Sequence, residues 1–318
     1  LHKVRFGKTD LEITPVGFGA WAIGGTGWAG AWGSQDDDEA VGAIRRAVES
    51  EINWVDTAAV YGLGHSEELV AQALKGFSDA DRPYVFTKCS LVWDEGGNVS
   101  NVLKKDSVKK ECEDSLRRLQ TDVIDLYQIH WPRPDEDVEE GWQALAELKE
   151  EGKVRHIGVS NFDARQMERA NGIAPVETLQ PPYNMLRREV EDEILPYAGE
   201  NDVGVIVYSP MASGLLTGKM TRERVENMPS DDWRRNNEQF NDPKLSQNLE
   251  LVEKLREVGG RHDRSPAEVA IAWTLGHPAV SAAIVGGRRP DQVDGIVGAA
   301  NFRLSEDEID EIEAAIPR

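Results

Sequence analysis

The sequence predicts an α/β fold, a single (β/α)8 barrel of the TIM type, and three observations carry that prediction. Short runs rich in Val and Ile alternate with amphipathic stretches eight times along the chain, the pattern of buried parallel strands joined by helices. The chain has 318 residues, a length that α/β barrels commonly fill as one unit. No linker or low-complexity tract divides it, so residues 1–318 are read as one domain.

The elements follow in order. Residues 1–14 carry a turn, Gly7-Lys8-Thr9-Asp10, between short extended runs; an N-terminal β-hairpin closing one end of the barrel is expected. Val16-Gly17-Phe18-Gly19 is the first barrel strand. Gly17-Phe18-Gly19-Ala20-Trp21-Ala22 then mimics a GxGxxA dinucleotide fingerprint, which requires a helix to open in the glycine loop. The chain continues Ile23-Gly24-Gly25-Thr26-Gly27 instead, a poor helix former, so a Rossmann domain is not expected. Residues 39–51 place Val41, Ile44 and Val48 on one helical face. Asn53-Trp54-Val55-Asp56 is the second strand, and Gly64-His65-Ser66-Glu67 opens the next helix, with His65 at its rim. Tyr84-Val85-Phe86-Thr87 is the third strand, followed by a helix over 107–119 (Val108, Cys112, Leu116 and Leu119 inward).

Residues 123–129 form the fourth strand, and 140–151 a helix burying Trp142, Leu145 and Leu148. Ile157-Gly158-Val159-Ser160, Thr178-Leu179-Gln180 and Val205-Ile206-Val207-Tyr208 supply the next three strands. Residues 217–246, with Asp231-Asp232-Trp233-Arg234-Arg235, read as a long irregular loop over the active face. Ser265-Pro266-Ala267-Glu268 is a capping box with proline at the first helical position. Ala282-Ala283-Ile284-Val285 is the eighth strand, and Ser305-Glu306-Asp307-Glu308 caps an extra terminal helix.

Composition excludes several function classes. Lys and Arg number 36 against 57 Asp and Glu, a net charge of −21, so the basic footprint of a nucleic-acid binder is missing. Two cysteines outside any CxxC pattern fit a reduced, cytoplasmic protein. No apolar run is long enough to span a membrane, and Leu1-His2-Lys3-Val4-Arg5 does not begin a secretory signal. The six histidines form no HExxH pair and no zinc-spaced cluster, so no metal is expected.

Chemistry is expected at the carboxyl ends of barrel strands. Polar residues fall there repeatedly: Asp56, Lys88, His130, Ser160 with Asn161, Gln180, and Tyr208 with Ser209, while Tyr61 follows in the second strand's loop. A ketone that accepts hydride needs a proton on its oxygen. Tyrosine can deliver it, a lysine ammonium nearby favours the phenolate, and a carboxylate fixes the lysine. Asp56, Tyr61, Lys88 and His130 make such a set.

These segments, in this order, resemble the aldo-keto reductase family, in the bacterial branch that is also similar to potassium-channel β-subunits. Asn53-Trp54-Val55-Asp56-Thr57-Ala58-Ala59-Val60-Tyr61-Gly62, Thr87-Lys88 and Asp125-Leu126-Tyr127-Gln128-Ile129-His130 carry the likeness to its catalytic segments. The resemblance implies Tyr61 as general acid in reduction and base in oxidation, tuned by Lys88 and Asp56, with His130 orienting the carbonyl. It implies Ser160, Asn161 and Gln180 on the nicotinamide carboxamide and Tyr208 stacked on its ring. Ala20, Trp21 and Asp56 would add contacts. Ser209, Pro210, Met211, Ala212, Ser213, Gly214 and Lys219 would hold the pyrophosphate.

The cofactor so implied is NADP(H): Gly286, Arg288, Arg289 and Gln292 resemble the adenosine-phosphate loop, and arginine suits phosphate oxygens. Gly295 and Ile296 stand where the family usually has Glu and Asn, which keeps NAD(H) as an alternative. Trp21, Trp32, Trp93, Trp131, Tyr61 and His130 are expected to wall a pocket for a small carbonyl or alcohol, a sugar or aromatic carbonyl among them. A regulatory subunit that binds the cofactor with little turnover is the alternative function.

Overall fold

The computed structural model describes residues 1–78, 80–229 and 232–317. It begins with a hairpin, β1 (Val4–Arg5) and β2 (Glu12–Ile13), followed by β3 (Val16–Gly19), α1 (Asp37–Glu49), β4 (Trp54–Asp56) and α2 (His65–Leu74). β5 (Tyr84–Cys89) leads into a ribbon of β6 (Leu91–Trp93) and β7 (Val99–Asn101). α3 (Lys105–Leu119), β8 (Ile124–Ile129), α4 (Val138–Glu150), β9 (Val154–Ser160), α5 (Ala164–Asn171), β10 (Thr178–Gln180), α6 (Ile194–Glu200) and β11 (Gly204–Val207) continue the alternation. α7 (Arg222–Glu226), α8 (Lys244–Gly260), α9 (Pro266–Thr274), β12 (Ala282–Gly286), α10 (Pro290–Asp294) and α11 (Glu306–Glu313) complete it.

β3, β4, β5, β8, β9, β10, β11 and β12 pair in parallel and close on themselves, so every predicted strand is a barrel stave. Strand periodicity of two then decides what each side chain meets. Val55, Val85, Tyr127, Val159 and Val205 face the helical shell. Trp54, Phe86, Leu126 and Ile206 face inward and pack together. Two residues further along each strand, the inward positions become Asp56, Lys88, Gln128 and Tyr208. The polar strand ends are therefore the top layer of the barrel interior.

The hairpin plugs the opposite end, as expected. Phe6, Leu11 and Ile13 are buried against Trp54, Phe86 and Leu126. Trp54 Nε1 donates to the Thr14 carbonyl (2.9 Å) and Asn53 Nδ2 to the Glu12 carbonyl (2.8 Å). His156 bridges hairpin and barrel, with Nε2 2.7 Å from Asp10 Oδ1 and Nδ1 2.9 Å from Glu177 Oε1. Gly17 makes room for Trp54, since a Cβ there would collide with the indole ring. The fingerprint-like glycine thus serves barrel packing, and no α-helix follows it before Asp37.

Both capping boxes form at Ser265 and Ser305. Two expectations are corrected. The β6–β7 ribbon was not predicted. Residues 217–246 are not simply irregular: Leu215, Met220, Val225, Met228, Phe240 and Leu245 bury one another in a small core of their own, around α7 and two 3-10 turns. Asp231 of that segment lies outside the described residues. No described helix is long and apolar enough to cross a membrane.

Candidate active site

A cleft of about 1390 Å³ opens at the carboxyl ends of the strands, larger than the roughly 300–1,000 Å³ of a single small-molecule site. Its floor holds a buried ion pair. Lys88 Nζ lies 2.6 Å from Asp56 Oδ2 and also donates to the Thr57 carbonyl (2.9 Å). Gln180 Nε2 donates to the other carboxylate oxygen, Asp56 Oδ1 (2.8 Å). Asp56 is therefore clamped from two strands at once. Burial works against the Lys88 charge and lowers its pKa, while Asp56 opposes that shift.

Tyr61 stands above this pair. The Lys88 ammonium is 5.4 Å from its ring centroid, and His130 meets the ring edge-on at 5.7 Å. Here the structure departs from expectation. Burial pushes the Tyr61 hydroxyl well above its ordinary range, reinforced by the Asp56 carboxylate and by Tyr208. The lysine's charge is already matched by Asp56, so its pull on the tyrosine is outweighed by burial. Tyr61 is held as a protonated phenol, the form that gives a proton. Burial, and then Lys88, push His130 well below its usual value, so it stands as a neutral imidazole.

Ser160, Asn161, Gln180 and Tyr208 form one network. Ser160 Oγ donates to the Gln180 carbonyl (2.9 Å), Asn161 Nδ2 donates to Ser160 Oγ (3.1 Å) and to the His130 carbonyl (2.9 Å), and Tyr208 Oη donates to Asn161 Oδ1 (2.8 Å). Asn161 takes a left-handed backbone, φ +61°, which turns its amide back toward His130. The network fixes the Tyr208 ring, and Tyr208 lines the cleft.

The chain from Ser209 to Gly214 lines the next stretch of cleft, with Lys219 beyond it. Ser209, Ala212, Ser213 and Gly214 all have positive φ, a wrapped backbone of the kind that gathers N–H groups around anions. Gly286, Arg288, Arg289 and Gln292 line the far end, as do Gly295 and Ile296. Arg288 is not free there. Its Nε donates to Gln35 Oε1 (2.7 Å), Nη1 to the Trp32 carbonyl (3.2 Å) and Nη2 to the Ser34 carbonyl. Arg289 pairs with Asp291 (3.0 Å).

Five of the six predicted wall residues line the cleft, namely Trp21, Trp32, Trp131, Tyr61 and His130, and Trp28 joins them. Two assignments are corrected. Trp93 lies off the cleft, its ring under the Arg118 guanidinium at 5.8 Å; Leu91 and Val99 of the same ribbon line the cleft instead. Ala20 is fully buried, its carbonyl accepting from Ser66 Oγ (3.0 Å), so it supports the site from behind.

Sequence reasoning missed two contributors. Arg234, inside the 217–246 segment, sits 4.9 Å from the Trp32 ring centroid. Trp32 in turn meets Trp21 at 5.4 Å and Trp233 at 6.2 Å, so this segment and the β3–α1 loop meet across the cleft. Glu67, which reads as a first-turn surface acid, is fully buried; it accepts from Thr87 Oγ1 (2.6 Å) and pairs with Arg118 (2.6 Å). The one signal for it was its place on the apolar face of α2, beside Ser66 and Val70.

With this geometry in place, comparison with known proteins fixes the class. The sequence model of the aldo/keto reductase family matches residues 15–317. The aldo-keto reductase YhdN of Bacillus subtilis is 38% identical over 95% of this chain and 90% of its own. The NADH-specific methylglyoxal reductase of Escherichia coli is 34% identical over 96% of this chain and 95% of its own. Among solved structures, the glycerol dehydrogenase of Gluconobacter oxydans superposes with a TM-score of 0.90 at 37% identity, covering 98% of this chain and 94% of that one. The chain belongs to the aldo-keto reductase family, oxidoreductases acting on carbonyls.

Proposed function

We propose that this protein reduces an aldehyde or ketone with NADP(H), Tyr61 giving the proton and His130 orienting the carbonyl. The observation that carries the reading is the buried Lys88–Asp56 pair at 2.6 Å beneath a Tyr61 ring that His130 meets edge-on. The residues present suit a dinucleotide. The Gln180 side-chain oxygen accepts no hydrogen bond among the described residues, Lys219 has no ion-pair partner among them, and both line the cleft.

A bound nicotinamide would supply the hydride. The chain's own residues do the rest. Gln180, Ser160 and Asn161 receive the carboxamide, and Tyr208 offers its ring face. Neutral His130 donates to the carbonyl oxygen without competing for the proton. Tyr61, raised in pKa by burial, carries its proton until charge develops on that oxygen. The Lys88 ammonium, 5.4 Å from the tyrosine ring, stabilises the phenolate that remains. The walls of Trp21, Trp28, Trp131, Leu91 and Val99 suit a carbonyl with a flat or apolar face, including a sugar face.

NAD(H) is the second cofactor reading, and particular observations favour it. Arg288 spends three donors on Gln35 and on the Trp32 and Ser34 carbonyls, and one relative is named NADH-specific. Fluorescence titration with NADPH and NADH separates the two. Turnover of 4-nitrobenzaldehyde, methylglyoxal and glycerol by wild type and Tyr61→Phe tests the chemistry. Tyr61→Phe is expected to bind cofactor normally and lose turnover; wild-type rates in that variant would remove Tyr61 from its role.

A further inference from the structure

Ser90 stands directly after β5, two residues past Lys88, and its backbone sits at φ +84°, where any residue with a Cβ is strained. It is fully buried, and four hydrogen bonds hold it there. Its N–H donates to Glu111 Oε2 on α3 (2.9 Å), and its carbonyl accepts from the Val102 N–H (3.0 Å). Its hydroxyl donates to the Trp131 carbonyl (3.2 Å) and accepts from the Trp131 N–H (3.1 Å). The other Glu111 oxygen, Oε1, accepts from the Ser107 hydroxyl (3.1 Å).

Glu111 is an unusual residue to bury here. No Lys, Arg or His forms an ion pair with it among the described residues, and burial pushes its carboxyl up to about 7. A buried carboxyl without a cation destabilises a fold unless its hydrogen bonds are needed. Those bonds lead to the barrel mouth. Trp131 follows His130, and both line the cleft. The His130 N–H donates to the Cys89 carbonyl (3.0 Å), next to Ser90. Ser90 thus laces the tips of β5 and β8 together, and Glu111 holds Ser90 in its strained form. Glu111 itself does not line the cleft, so it touches neither substrate nor cofactor.

We propose that Glu111 is a positioning residue: acting through Ser90, it sets where His130 and Trp131 stand against the substrate. The proposal rests on the carbonyl-reduction reading above, and the test separates the two. KM and kcat for 4-nitrobenzaldehyde, cofactor Kd, and crystal structures are compared for wild type, Glu111→Ala, Glu111→Gln and Ser90→Gly. Glycine accepts φ +84° without strain, so Ser90→Gly removes the hydroxyl bridge and leaves the backbone comfortable even if Glu111→Ala does not fold.

Glu111→Ala and Ser90→Gly are expected to raise KM about tenfold, the equivalent of one lost hydrogen bond at the wall, with kcat changed less and cofactor Kd unchanged. Glu111→Gln, whose amide oxygen still accepts the Ser90 N–H, restores KM. Crystal structures of the first two show Trp131 displaced. Wild-type KM in Ser90→Gly, or Trp131 unmoved in both structures, overturns the proposal. A wild-type enzyme without turnover overturns the carbonyl-reduction reading alone, and the Trp131 position still decides this one.

Discussion

Asp56→Asn offers a sharp test of how the site is built. The substitution keeps shape and leaves an amide oxygen, but it strips the negative charge from a carboxylate that receives Lys88 at 2.6 Å and Gln180 at 2.8 Å. Lys88 would then hold a buried ammonium with neutral partners alone, the Thr57 carbonyl at 2.9 Å and at best the new amide oxygen. Removing one member of a buried pair costs about 3–5 kcal/mol, which at roughly 2 °C per kcal/mol for a chain of this size lowers Tm by about 6–10 °C. Lys88 can limit the loss by giving up its proton, a step its lowered pKa already favours. The charge that stabilises the Tyr61 phenolate then disappears, and turnover falls by about a hundredfold or more. Thermal melts and steady-state cofactor oxidation read both effects. The double variant Asp56→Asn with Lys88→Met removes the stranded charge, so it should regain stability without regaining turnover. An Asp56→Asn protein with wild-type Tm and wild-type kcat would refute the reasoning, because the pair would then be neither structural nor catalytic.

Three further outcomes are expected. Arg288→Ala should weaken NADPH binding more than NADH binding in fluorescence titration; equal losses would assign Arg288 to holding the Trp32–Gln35 loop alone. Trp131→Ala should raise KM for an aromatic aldehyde about tenfold or more, while Trp93→Ala leaves it unchanged; a matching rise in Trp93→Ala would show that the ribbon rearranges in solution. At the barrel base, the His156 pKa is raised through its bonds to Glu177 and Asp10, which outweigh its burial, and those two carboxyls are lowered. The imidazolium's contribution is fully present below the unfolded histidine value of about 6.5 and is lost as pH rises through the raised folded value. The carboxylates' share is lost as pH falls through their lowered values. The Tm difference between wild type and His156→Gln should therefore peak in the mildly acidic range and shrink toward alkaline pH; a difference that grows with pH would reverse the assignment.

Much of this was legible in the sequence because two periodicities are strong. Valine-rich strands bounded by Asp56, Lys88, Gln180 and Tyr208 declare both the stave and its active end, since inward positions recur every second residue. What escaped prediction depends on contacts between distant segments. Arg288 meets Gln35 across a separation of 253 residues, and no local pattern announces that. Glu111 and Glu67 look like solvent-facing helix acids, because burial of a carboxyl is set by the neighbouring strand end and not by helical spacing. Trp93 was placed on the cleft because the short ribbon that carries it was not predicted; its ring packs under the Arg118 guanidinium of α3. The pKa of Tyr61 was misjudged because pairing Lys88 with Asp56 left burial as the dominant influence.

The hairpin plug divides the molecule's labour. Asp10, His156, Trp54 and Phe6 secure one end of the staves, while every cleft residue sits at the other. Substitutions at the two ends share no partners, and widely separated changes combine nearly additively. A lineage, or an engineer, can therefore rewrite the tryptophan-bearing loops for a new carbonyl while hardening the base against heat, and neither revision must be renegotiated with the other.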